Sequence, residues 1–144
     1  MTKNPEKIMK DVINAFVEYN NSNAVEQSPV RGVVIRPNGT HTEGLFKQLA
    51  DYQSAIDGWI TAVRLYDYNG QEIACAYVDD EGLLKNLPLN PMASALSFLF
   101  GNTPHLVGNA VIVGRSDDEG YDTDLPEFIL TLVRNISAKQ EKEA

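Results

Sequence analysis

Apolar positions recur along this chain with two periods, and the switches between them mark its elements. Ile8, Met9, Val12, Ile13, Phe16 and Val17 fall on one face of a helix running from residue 5 to about 20. Asn4 suits its cap, Pro5 its first position, and Glu6 complements the positive end of the helix dipole. Such a stripe predicts packing onto a core, with docking onto a partner helix as the alternative. The polar run NNSNAVEQSP then reads as linker or helix fray, which makes the helix an appended element.

From Val30 to Arg36 the β-branched run predicts a strand turned by Asn38-Gly39, with Thr40 to Glu43 as a short returning strand. Leu45, Leu49, Tyr52 and Ile56 follow helical spacing, and Gly58 suits the left-handed position just past that helix. Trp59 reads as a core anchor, since burying such a side chain is worth about 2–3 kcal/mol.

Period two is clearest from Trp59 onward. Asn69-Gly70 favours a two-residue type I′ turn, because both central residues then need positive φ. That loop would set Tyr68 opposite Gln71, Tyr66 opposite Ile73, Arg64 opposite Cys75 and Ala62 opposite Tyr77. One face of the hairpin then carries Thr61, Val63 and Leu65 against Ala74, Ala76 and Val78. The other carries Ile60, Tyr66, Ile73, Cys75 and Tyr77, with only Arg64 charged. A hairpin apolar on both sides is expected to be central and covered twice, by helices of the chain or by a second copy in a homodimer. Arg64 reads as a solvated head on a buried stem, or as one half of an ion pair with an acid from a helix or a partner.

Beyond the acidic turn at Asp79-Asp80-Glu81-Gly82, a leucine-rich extended segment (Leu83, Leu84, Leu87, Leu89) includes Pro88, which excludes a central strand. Asn90-Pro91 starts a helix with Met92, Ala95, Leu96 and Leu99 as its buried stripe, and Gly101 stops it. GNAVIVG, residues 108–114, reads as a buried strand. A second Asp-Asp-Glu-Gly follows at 117–120. Asp124 and Glu127 form a capping-box-like pair ahead of Leu125, Phe128, Ile129, Leu132, Val133 and Ile136.

These elements predict an α+β class: a mostly antiparallel sheet of about four to five strands built on a central hairpin, with four helices packed on it. A chain of 144 residues supports a single domain with a real core. We divide it into an N-terminal helix and linker (1–29), a core domain (30–137) and a frayed tail (138–144).

Charge narrows the partners. A formal charge of −8 opposes binding to a phosphate backbone or an anionic membrane. No apolar run is long enough to span a bilayer, MTKNPEKIMK lacks an apolar signal core, and a single cysteine fits a reducing cytoplasm. The expected location is therefore cytoplasmic, with a host or viral protein as partner and no direct nucleic acid or membrane.

The repeated Asp-Asp-Glu-Gly is the one candidate for chemistry. Asp79, Asp80, Glu81, Asp117, Asp118 and Glu119 are the candidate interaction residues. An alternative set, Asp117, Asp118, Asp122 and Asp124, offers carboxylates to a divalent cation. EF-hand spacing fails there, because Arg115 would hold the first ligand position. Acids followed by glycine are also what a polar turn requires. His41 and His105 are isolated and each lies in a predicted loop, so with one cysteine no zinc spacing can be built. Walker A, nucleophile-elbow and His-Glu-x-x-His runs are missing, and Cys75 sits among apolar neighbours that raise a thiol pKa. No catalytic residue and no cofactor is therefore expected.

VVIRPNGT, DGWITAVRL, YVDDEGLLKNLPLNPMA and LVGNAVIVGRSDDEG, in that order, resemble a phage and mobile-element family known as domain of unknown function 3846. The shared positions would be Pro37 to Gly39, Gly58-Trp59, Asp80 to Gly82, Leu87 to Asn90 and Gly108-Asn109, within residues 31–128. The resemblance implies an intracellular accessory protein of a phage, plasmid or conjugative element, and it carries no activity or functional residues with it. The function expected is protein–protein interaction, for example inhibition of a host defence. The alternative is a small-ligand or divalent-metal domain using the acidic loops.

Overall fold

The computed structural model describes residues 4–23 and 28–143, with side chains described for 4–17 and 28–142. Within them the order is α1 (Pro5–Asn23), β1 (Val30–Ile35), β2 (His41–Phe46), α2 (Leu49–Ile56), β3 (Ile60–Tyr66), β4 (Glu72–Asp79), α3 (Pro91–Leu99), β5 (Ala110–Gly114) and α4 (Glu127–Glu143). The strands form one open sheet in the order β2-β1-β5-β4-β3, antiparallel throughout. The fold class is the α+β arrangement read from the sequence. The middle strand is β5, buried at every position, while the β3–β4 hairpin forms one flank and β3 an edge.

Both faces of the sheet are covered, and strand alternation decides which side chain faces which helix. On one face Val33, Ile35, Leu65, Ala74, Ala76 and Ile112 pack with Met92 and Leu96 of α3 and with Ile129, Leu130 and Val133 of α4. On the other, Val34, Cys75, Val111 and Val113 meet Tyr52 and Ile56 of α2, with Phe46 closing the side. Cover for Cys75 and Tyr77 thus comes from within the chain. Ala62 and Arg64, on the edge strand, stay exposed.

The hairpin turn differs from the expected type I′. Gly70 N–H bonds Asp67 C=O at 3.0 Å, Gly70 has φ +81° and Asn69 is not in the left-handed region. The Asp67 carboxylate accepts the N–H groups of Asn69 and Gln71, which fixes a type I turn with glycine behind it. A bulge between Leu65 and Tyr66 absorbs the extra residue. Arg64 still pairs with Cys75 and Ala62 with Tyr77, but Tyr66 faces Glu72 instead of Ile73. The slip packs Ile73 against the α3/α4 core and leaves Glu72 at 2.9 Å from Arg64, so Arg64 is ion-paired, but to the neighbouring strand and not to a helix or a partner as expected.

Several side chains and boundaries depart from expectation. Trp59 lies just outside β3 and is 68% exposed; it is no core anchor. Leu83 and Leu84 are exposed in a run of turns that ends at Asn86 (φ +55°), so the segment is extended only from Leu87. The buried residues of α3 are Met92, Ala93, Ser94, Leu96 and Ser97, leaving Ala95 and Leu99 outward. Leu45 belongs to β2, not to the following helix. That helix ends with Asp57 in the left-handed position (φ 62°), not Gly58. Asp124 lies before α4 and accepts the Arg31 N–H at 2.7 Å instead of capping the helix. Residues 138–143 continue α4 where fraying is expected.

Asn4 does cap α1, accepting the Glu6 N–H at 3.0 Å. The stripe of α1 does not reach the core: Ile8, Met9, Val12, Ile13, Phe16 and Val17 are 44–64% exposed. Helix α1 also takes in residues 20–23 of the expected linker, and residues 24–27 lie outside those described.

Candidate functional site

The two acidic windows do not converge, and they fold differently. At Asp117-Asp118-Glu119-Gly120 the first carboxylate accepts the N–H groups of Glu119 and Tyr121, and Gly120 takes φ +86°. Asp118 and Glu119 point outward as the exposed part of that turn. Asp122 instead turns inward, accepting the hydroxyls of Tyr52 and Tyr77 at 2.7 Å each. Burial and the Asp122 carboxylate push both phenols well above their ordinary range. Asp124 is engaged with β1. Asp117, Asp122 and Asp124 of the candidate cation set therefore serve separate contacts while Asp118 faces solvent, and among the described residues no three His, Cys, Asp or Glu side chains are grouped to hold a metal.

At Asp79-Asp80-Glu81-Gly82 the first acid is buried. Its side chain is 1% exposed and pairs with Lys85 Nζ at 2.7 Å, while its other oxygen accepts the Glu81 N–H at 2.8 Å. The Lys85 ammonium holds the Asp79 carboxyl below the usual carboxylate range, and Lys85 is raised in turn. Only Asp80 and Glu81 present acids to solvent here.

That ion pair forms part of the wall of a cleft of about 590 Å³ at the end of the sheet where β1 and β4 finish and β5 begins. Arg36, Pro37 and Asn38 come from the first hairpin turn, Ile56 and Asp57 from the end of α2, Leu87 and Pro88 from the loop ahead of α3, and Gly108 and Asn109 from the approach to β5. Two glycines let these segments close up. A Cβ on Gly58 would lie 2.7 Å from Lys85 Nζ and 2.8 Å from Asp79 Oδ2; one on Gly108 would lie 2.8 Å from Leu87 Cδ1. Asn90, fully buried, locks the floor. Its Nδ2 donates to the carbonyls of Ile35 and Gly108 at 2.9 Å each, and its Oδ1 caps α3 through the Ala93 N–H. The segments singled out in sequence as Pro37–Gly39, Gly58, Leu87–Asn90 and Gly108-Asn109 thus meet at one place.

Cys75 is fully buried, and burial pushes its thiol up to about 11, so it is inert as a nucleophile at neutral pH. His41 lies in β2, with Nδ1 2.9 Å from Ser137 Oγ, and not in a loop. A larger hollow, about 730 Å³, sits beside the hairpin between Gln71–Ile73 and Arg115–Ser116. Its carboxylate Glu72 is already bound by Arg64 and the Ser116 N–H.

An open five-stranded antiparallel sheet with α2 on one face and α3 and α4 on the other defines a small α+β domain, with the motif-lined cleft at one end of the sheet. The chain belongs to the family described as domain of unknown function DUF3846, whose profile matches residues 30–137. The match begins at β1 and ends within α4, leaving α1 outside it. Among curated proteins and solved structures, none matches.

Proposed function

We propose that this chain is a binding protein that acts by docking onto another protein, with the apolar face of α1 as the docking element. The observation that carries this reading is the exposure of six large apolar side chains along one helical face. Apolar surface in water favours burial at about 25 cal/mol per Å², and large exposed patches mark interaction sites. Anchors at Ile8, Val12 and Phe16, one helical turn apart, suit a helix-in-groove contact with a partner that presents an apolar groove. The charge of −8 favours a protein partner over nucleic acid. The family resemblance supports an accessory role in a phage or mobile element, with a host or viral protein as target and inhibition of a host defence as its purpose.

The acidic loops add a narrower version, in which Asp80, Glu81, Asp118 and Glu119 mimic phosphate towards the same partner. These are the exposed acids of the two turns whose carboxylates take no hydrogen bond or ion pair among the described residues, whereas Asp117 accepts two backbone N–H groups.

Two substitutions test the docking element. Val12→Asp with Phe16→Asp should abolish capture of a host protein that the unsubstituted chain retains from lysate. Equal capture by both chains would sink the proposal. A dimer seen by light scattering that the same substitutions dissolve would assign α1 to self-pairing and overturn the reading as well.

A further inference from the structure

The cleft at the end of the sheet is independent of α1 and has a chemistry of its own. Among the described residues Arg31, Arg64 and Arg134 each face a carboxylate, on Glu127, Glu72 and Glu43. Arg36, half-buried at the cleft, faces none; its recorded side-chain bond is to Thr42 Oγ1 at 2.9 Å. A guanidinium has five N–H donors, so most of its capacity stays open. Asn38 uses its Oδ1 on the N–H and hydroxyl of Thr40, which leaves its amide donors. Asn109 gives one donor to the Ala55 carbonyl and keeps another. On the acceptor side, Asp79 is already neutralised by Lys85, and Asp57 is an exposed carboxylate at the rim with no ion-pair partner among the described residues. The open N–H donors are thus those of Arg36, Asn38 and Asn109, and Asp57 is the unpaired carboxylate they stand against. Ile56, Leu87 and Pro88 add apolar surface, and the volume falls within the range of small-molecule sites.

We propose that this cleft binds a small organic anion. Its oxyanion head, a phosphate monoester or a carboxylate, is taken by Arg36 with the amides of Asn38 and Asn109, and its body lies on Ile56, Leu87 and Pro88. An arginine matches either head with two parallel hydrogen bonds. The Asp79–Lys85 pair, with its carboxylate buried, forms a wall of the cleft whose acid is already neutralised.

Full-length chain labelled with ¹⁵N is titrated with inorganic phosphate, adenosine 5′-monophosphate and 3-phenylpropionate in separate experiments. We expect at least one organic anion to shift the amides of Arg36, Asn38, Leu87, Gly108 and Asn109 saturably, with Kd below about 1 mM. The nucleotide alone would assign a phosphate head, phenylpropionate alone a carboxylate, and both together the shared chemistry. Arg36→Gln should weaken binding about ten- to hundredfold, the loss of a charged hydrogen-bonding pair. Asn38→Asp preserves the acceptor that holds its turn, adds a negative charge and should weaken binding similarly, while Arg115→Gln should not change it. Absence of saturable shifts at the cleft from both organic probes overturns the proposal, whether or not inorganic phosphate binds. So does undiminished affinity in both cleft variants.

Discussion

Asp79 shows how a residue's surroundings set its role. It sits in a run of acids that reads as a solvated turn, yet its carboxylate is buried against Lys85, and glycine at position 58 leaves the space for that pair. Because its folded pKa is depressed, Asp79 contributes stability above its unfolded value, near 3.9, and that contribution is lost as pH falls through the folded value. Asp79→Asn should therefore unfold at lower denaturant concentration than the unsubstituted chain at pH 7, and the gap should close below about pH 3.9. A gap that persists unchanged into acid would mean that the pair does not carry the effect. The Arg64–Glu72 contact shows the same dependence on neighbours, since a one-residue slip at the bulge brings Glu72 to Arg64.

Three turns, at Arg36–Thr40, Asp67–Gln71 and Asp117–Tyr121, share one geometry. In each, the fourth residue is a glycine at φ between +81° and +86° whose N–H bonds the first carbonyl, and the first N–H bonds the fifth carbonyl. Gly120 has nothing within 4 Å of where a Cβ would go, so only backbone conformation restricts it. Gly120→Ala should lower stability by about 1–2 kcal/mol, the cost of a left-handed L-residue, and Gly120→Asn by less. Equilibrium unfolding of the two variants distinguishes this from a steric effect, which would penalise asparagine more. The turn positions were legible because Asn-Gly and Asp-rich runs act locally. The turn type was not, because it depends on whether Asp67 offers its carboxylate to Asn69 and Gln71. Helix starts at Asn4 and Asn90 were legible for the same local reason, whereas the buried face of α3 was set by what it lands on.

For the molecule as a whole, the separation of α1 from the packed body matters most. Its apolar side chains are exposed, so Val12→Asp with Phe16→Asp should change the unfolding free energy by less than about 0.5 kcal/mol, as surface substitutions do. A large loss would show that α1 is part of the core. The cleft belongs to this scale too. Its residues come from five segments, and nothing in the spacing of Arg36, Ile56, Leu87 and Asn109 announces that they meet. The Pro-Asn-Gly, Leu-Pro-x-Asn and Gly-Asn stretches were the available signal, since glycine and buried asparagine mark places where backbones come close.

By itself the sequence determined the elements, the α+β class, the β3–β4 register from Ala62 to Arg64 and the inertness of Cys75, because periodicity, turn residues and local burial act over a few neighbours. Only the tertiary structure decided that β5 lies between the two hairpins, that Trp59 faces solvent, that Asp79 is buried while Asp118 is not, and that one cleft gathers the motif segments. Those outcomes depend on which distant surfaces meet, and a contact between residues far apart in the chain leaves no period to read.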